Sequence, residues 1–558
     1  MYSALKTPSF LRPATRPSSP VLTPVDSTMS PDRAPRPLSR LSLATFRRPS
    51  PSPVPGRAPA TTVQDGSYMD VLSLRLSEAV SKALAQSSGP SVPHELLNGR
   101  RPIPAGRGRA LGALIAQEVK AVRENPHLYR AFLRILQRPL SVLLSNLSSD
   151  LLPLLSSSVF HDPIPPTPHN PSPNATQLHA LGLATLAGEL LETFDGLGLG
   201  LETDMRGDGL KNIREGLVSV VKRVIDPLMN GIKNEMVPLL EALETPSNAP
   251  SVLKGTRSPL PHPSIMALQG LMPVYARGLS RYVTSATADN SLASLLILLV
   301  WRGLVALSNR PIPLPTPPSS PVLPPSAYAK GKESKRQGPV STQITTLTTP
   351  SASRFTLKLP PSRPVSPGTT VAKGSAAAAD ARALCNLLYM LPRPSADKET
   401  TRIAREAVDE AFDALSALTA LLESVQSHAA VLRGRPGSSS VSSLAEFEAD
   451  LEVVTADLPM LIALPVLLRT LLPTTGDGVP IRERTVASML GLSETEYRKG
   501  CLSGFGRAEE CEVAVGQRVL DVLQAEALSN AVEAGTSERM AVLVKWLKSQ
   551  IAAAMDQH

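Results

Sequence analysis

The side chains best placed for chemistry in this sequence are hydroxyls rather than acids, thiols or imidazoles. Thr7, Ser19, Thr23, Ser30, Ser50, Ser52, Thr167, Ser172, Thr245, Ser258, Thr316, Ser320, Thr349 and Ser366 each stand directly before a proline. A proline-directed kinase reads that pair in extended backbone, and each phosphate adds roughly two negative charges near neutral pH. These residues are the candidate phosphosites. No residue is assigned a catalytic, cofactor-binding or metal-binding role. The chain carries no P-loop, HExxH, GxSxG or paired CxxC pattern. Gly196, Gly198 and Gly200 follow no predicted strand and read as a turn between helices. His161, His169 and His262 fall in proline-rich stretches, where no scaffold would set a metal's geometry. Cys501 and Cys511 are ten apart with no second pair, and Cys385 is the third thiol of the chain. Three cysteines make no disulfide framework in so long a chain, which points to a reducing, intracellular location.

Within the hydroxyl set, Leu314-Pro-Thr316-Pro317-Pro-Ser-Ser320-Pro321 resembles the phosphodegron of the Myc transcription factors. The likeness covers eight residues. It implies that Thr316 and Ser320 are phosphorylated together. The two phosphates would then be gripped by the arginine-lined β-propeller of an F-box ubiquitin-ligase receptor. Leu22-Thr23-Pro-Val-Asp-Ser27 is a looser second copy. Lys330-Gly-Lys-Glu-Ser-Lys335-Arg336 reads as a basic nuclear localisation signal diluted by Glu333.

The elements that must position these groups follow from composition. The 558 residues include 55 prolines, while aromatic residues make up 3%. Thirteen of the prolines fall in 1–66, six in 161–176, five in 245–263 and fourteen in 309–378. Such Pro/Ser-rich stretches lack the apolar side chains that would offset ordering entropy, so they are expected to be disordered linkers. The net charge of +9 is concentrated there as well: 1–66 carry nine Lys/Arg against three Asp, and 309–378 carry nine against Glu333 alone. The remainder is mildly acidic, which weakens any inference of a folded nucleic-acid surface. A mitochondrial presequence at the Arg-rich start is opposed by its prolines, since each costs about 3 kcal/mol inside a helix. No secretory h-region follows Met1.

Between the linkers the apolar period is helical, and a Leu/Ala/Val core poor in rings favours packed helices over strands. The expected fold is all-α, as a bundle or an irregular helical array. Its segments are 67–160, 177–244, a hairpin over 264–308 turning near Thr287–Asn290, and a C-terminal helical domain over 379–558. Ser67 and Asp70 read as a capping box, and Asn125-Pro126 as a helix start. Separate helices are expected near 139–159, 208–226 and 228–244, with Pro153 and Pro238 as kinks. The apolar runs Leu292–Trp301 and Met460–Leu472 fall short of the roughly 20 residues that span a bilayer, so no membrane contact is expected.

Two patterns bear on partners. Over about 396–433, Ala404, Val408, Ala411, Leu415, Leu418, Leu422, Val425, Ala429 and Leu432 form a heptad seam. That seam suits a coiled-coil homodimer through 404–432, whereas Phe412, Ala414 and Leu421 widen the face as for a helix buried in a bundle. Over 482–503, Ala487, Gly491 and Tyr497 fit a helix-turn-helix core. Glu494 and Glu496 oppose phosphate approach there, and a simpler account has Gly491 stopping one helix and Ser493 with Glu496 capping the next. The favoured function is a non-enzymatic cytoplasmic or nuclear scaffold that binds proteins through helical surfaces. A DNA-associated regulator using 482–503 is the alternative, and an enzyme without recognisable motifs is the third class.

Overall fold

The computed structural model describes residues 62–85, 95–162, 173–201, 208–246, 261–311, 376–428, 432, 440–472, 485–529 and 534–557. Among the described residues there are fifteen α-helices, two 3₁₀ turns and no strand. The all-α expectation is thus met. Thirteen of the fourteen candidate phosphosites, the degron residues Leu314, Thr316, Pro317 and Ser320, and the basic stretch 330–336 lie outside the described residues; Thr245 lies within them.

The helices are α1 (Thr62–Leu84), α2 (Arg107–Val122), α3 (Pro126–Leu155), α4 (Ala175–Leu197) and α5 (Asp208–Glu241). After a 3₁₀ turn at Ala242–Glu244 come α6 (Pro263–Tyr282), α7 (Ala286–Asn309), α8 (Ala376–Leu388) and α9 (Glu399–Ser427). The chain ends with α10 (Ser440–Val454), α11 (Met460–Leu471), α12 (Val486–Leu490), α13 (Glu494–Cys501), α14 (Phe505–Ser529) and α15 (Ala534–Gln557).

Local signals account for many of these ends. The Asn125 side chain accepts from the amides of His127 and Leu128, with Pro126 at the first helical position, so α3 starts where expected. Asn174 and Gln177 form a reciprocal capping box ahead of α4. Gly198, at φ 69°, ends α4 in the left-handed conformation that favours glycine, and its amide and that of Leu199 return to the carbonyls of Asp195 and Phe194.

Three boundaries differ from expectation. Ser67 is not a cap, because α1 begins five residues earlier and passes through it. Prolines do not divide the long helices. Pro139 and Pro153 lie inside α3, and Pro227 and Pro238 inside α5, where one continuous buried stripe outweighs the lost hydrogen bonds. The hairpin turns at Val283–Ser285, not at Thr287–Asn290. Ser285 accepts from the Ala288 amide, so Thr287 and Asn290 already belong to the first turns of α7.

Residues from Val63 onward form one compact unit. Its centre is α7, packed between α5 and α9, with α8 and α11 also against it. Leu292, Leu296, Leu299, Val300, Trp301, Leu304 and Leu307 are all buried, as a helix apolar on every side requires. At 24 residues α7 has the length and apolarity to cross a membrane, yet 72% of its most apolar window is buried inside the protein. The heptad seam of α9 faces the same interior. Val408, Ala411, Leu415, Leu418, Leu422 and Val425 are buried together with Phe412, Ala414 and Leu421, against α7, α8, α10 and α11. The wide face is therefore consumed within the chain, and Ile403 is left outside. In α11 the helix continues through Pro465, and Arg469 donates to the Ser308 carbonyl at the end of α7.

Candidate functional site

Four buried or edge positions, far apart in sequence, meet where α6, α7 and α8 begin or end. Arg310 follows the last turn of α7, and one of its guanidinium nitrogens stands 2.5 Å from Asp380 Oδ2 in the first turns of α8. Both side chains are 3% exposed, so the pair is desolvated. The other carboxylate oxygen of Asp380 accepts from the His262 amide at 3.1 Å. His262 caps α6: its Nδ1 accepts from the Ser264 amide at 3.2 Å. That bond uses the Nδ1 lone pair, so Nε2 carries the proton and donates to the Thr245 carbonyl at 3.1 Å. Burial, and then the Arg310 charge, hold the imidazole below its ordinary pKa and keep it neutral. Removing either partner of a buried ion pair strands the other charge, at a cost of about 3–5 kcal/mol.

This clasp has a topological meaning. Thr245 and His262 flank residues 247–260, while Arg310 and Asp380 flank residues 312–375. One hydrogen-bonded set therefore fixes both ends of two proline-rich segments. Thr245 itself is exposed, with extended backbone at φ −80° and ψ 132°, and its hydroxyl donates to the Ala242 carbonyl at 2.9 Å. Beside it, Glu244 takes both guanidinium arms of Arg498, at 2.7 and 2.5 Å.

That fork bears on the helix-turn-helix pattern, of which residues 485–503 are described. Gly491, at φ 72°, ends α12, and Ser493 with Glu496 makes a reciprocal capping box for α13, as the simpler account holds. Ala487 and Tyr497 are buried as the pattern requires. One of the two cations of that helix is engaged elsewhere, since Arg498 pairs with Glu244 and, at 2.8 Å, with Glu494. The corner is pinned to α7: Trp301 Nε1 donates to the Leu502 carbonyl at 2.8 Å, and its ring lies 4.6 Å from that of Phe505.

A second buried carboxylate, Glu189 of α4, acts as a remote cap. It accepts from the amides of Gly106 at 2.7 Å, Gly108 at 2.9 Å and Arg109 at 3.3 Å, satisfying the free N–H groups at the start of α2. Gly108 is required there, because a Cβ would stand 2.4 Å from the Leu186 carbonyl oxygen.

Sequence reasoning placed His262 in an unscaffolded linker; it is buried in the clasp instead. Arg310, Asp380 and Glu189 drew no attention, having no motif and partners 70 or more residues away in most cases. Among the described residues no three His, Cys, Asp or Glu are grouped so as to hold a metal ion. His161 ends a 3₁₀ turn against the Phe160 ring. Cys385 lies beside Ser416, whereas Cys511 approaches the Gly500 carbonyl next to Cys501, and its thiol bears on the ionisation of the Cys501 thiol. Comparison with family models, with curated proteins and with solved structures returns no match to this chain.

Proposed function

We propose that this protein is a non-enzymatic adaptor of the cytoplasm or nucleus. Its helical body holds proline-rich linkers at fixed points, and phosphate on those linkers governs docking and lifetime. The observation that supports this most is the clasp of Thr245, His262, Arg310 and Asp380, which draws the ends of 247–260 and 312–375 onto one buried polar centre. A segment tied at both ends can gain or lose charge while the core between its ends keeps its packing. Ser258, Thr316, Ser320, Thr349 and Ser366 all lie between such ties.

The test uses the full chain, phosphorylated by a proline-directed kinase and passed over an immobilised arginine-lined β-propeller receptor. Two phosphates on one short segment reinforce each other, so Thr316→Ala or Ser320→Ala alone should remove most of the binding. In cells, Thr316→Ala should slow decay after translation is blocked, whereas Thr349→Ala, a lone site in the same linker, should decay at the wild-type rate. If phosphate is incorporated and neither binding nor lifetime responds, the linkers are not the regulated element.

A further inference from the structure

Helix α13 closes on Cys501, the chain turns through Leu502-Ser-Gly504, and α14 brings Arg507 and Cys511 back on one face, four residues apart. Both reach the same acceptor: Arg507 Nε donates to the Gly500 carbonyl at 2.7 Å, and the Cys511 thiol lies 3.8 Å from it. The Gly500 carbonyl that Cys511 approaches belongs to the residue next to Cys501, and the Cys501 thiol feels the Cys511 thiol in its ionisation. Both sulfurs are free and partly exposed. Tyr497 stands one turn before Cys501 on α13 and is 1% exposed. Its hydroxyl has no hydrogen-bond partner among the described residues, and burial, then the nearby Cys501, Glu494 and Cys511, push it above the ordinary phenol range. A buried hydroxyl without a partner is costly, so its presence beside two thiols calls for an explanation.

We propose that Cys501 and Cys511 form a reversible oxidation site that closes to an intramolecular disulfide on meeting a peroxide, with the Tyr497 phenol donating a hydrogen bond to the oxidised sulfur. One cysteine, as thiolate, attacks hydrogen peroxide; an S–O bond forms, the O–O bond breaks, and hydroxide leaves to become water. The resulting sulfenic acid is the species to which the phenol donates. The second sulfur then attacks the first, the S–S bond forms, and the sulfenic oxygen departs as a second water. Two thiols and one peroxide thus give one disulfide and two waters.

Arg507 opposes the burial that pushes the Cys501 thiol up to about 11. Cys385 is the internal contrast. Its thiol is raised by burial, which Ser416 and the Arg393 charge oppose, and its hydrogen-bond neighbour is a hydroxyl instead of a second cysteine. Because Trp301 holds the Leu502 carbonyl between the two cysteines, the bridge would lock the α13–α14 corner onto α7. In a reducing compartment such a bond is transient, as a sensing site requires.

The test takes the reduced full chain, adds one equivalent of hydrogen peroxide, blocks free thiols and digests with trypsin without reductant. The expected product joins Gly500–Arg507 to Ala508–Arg518, vanishes on adding dithiothreitol, and leaves the Cys385 thiol free. Cys385→Ser should bridge as wild type does. Cys511→Ser should leave Cys501 carrying oxygen or an added thiol, with helicity by circular dichroism confirming that the variant is folded. Tyr497→Phe should reach the same product more slowly. Oxygen on single cysteines, or bridges only between chains, in the wild-type protein would overturn the site. An unchanged rate in Tyr497→Phe would remove the phenol from it.

Discussion

At the scale of single residues, the buried charges of the clasp each meet a partner. Asp380 serves Arg310 and the His262 amide together, and His262 stays neutral because its burial and the Arg310 guanidinium both resist a second proton. This has a pH signature. The folded-state pKa of His262 is below its ordinary value of 6.5, so the unfolded chain takes up the proton first as pH falls. Stability is therefore full above 6.5 and declines below it until the folded imidazole also titrates. Half-buried His179, lowered chiefly by burial and bound to the Arg100 carbonyl, adds a slope of the same sign. Urea midpoints measured from pH 7.5 to 5.5 should fall with pH in the wild type. His262→Gln should flatten that fall and leave the His179 share. A midpoint that rises as pH falls would mean that His262 is charged in the folded state, paired with Asp380 instead of neutral.

At the scale of elements, close approaches decide how helices meet. The α6–α7 turn rests on α4 through Gly188, where a Cβ would stand 2.5 Å from Ser285 Cβ and 2.8 Å from its Oγ. Ser285 is buried and caps α7, so it cannot step aside without uncapping the central helix. Gly188→Ala should therefore destabilise by about 1–3 kcal/mol despite alanine's better helix propensity, through overpacking and a lost cap. Gly231→Ala, where a Cβ meets open space inside α5, should be neutral or stabilising by about 0.5–1 kcal/mol. Thermal melts of the two variants read the difference directly, and equal shifts would remove the close approach as the cause. Some features confined to one turn were legible in the sequence: Asn125-Pro126, Gly491 and the Ser493–Glu496 box all act within three residues, whereas the equally local Ser67–Asp70 box failed because α1 starts upstream of it. The wide face of α9 was legible as well, because its apolar positions repeat along one helix. Glu189 capping α2, the His262 clasp and the continuity of α5 through Pro227 were not. Each depends on tertiary packing or on a partner that no local period reveals.

At the scale of the whole molecule, the proline-rich stretch 309–378 divides the sequence but not the core. Before it stands α7, and after it come α8, α9 and α11, which bury their apolar faces on α7. The Arg310–Asp380 pair, the Trp301–Leu502 hydrogen bond and the Arg498–Glu244 fork all cross the same division. Proline-rich backbone poor in core-forming side chains is where a protease cuts first. Limited proteolysis should accordingly nick residues 312–375 before it cuts within α9. The two pieces should then stay together, because burial of this kind contributes roughly 25 cal/mol for each Å² of apolar surface and needs no peptide bond to persist. On gel filtration the nicked protein should elute as one species near the intact position, and part only in denaturant. Association should weaken when Asp380→Ala leaves Arg310 buried without its counter-charge. If the pieces separate in buffer, then 379–558 is a domain that folds alone and its contact with α7 is secondary.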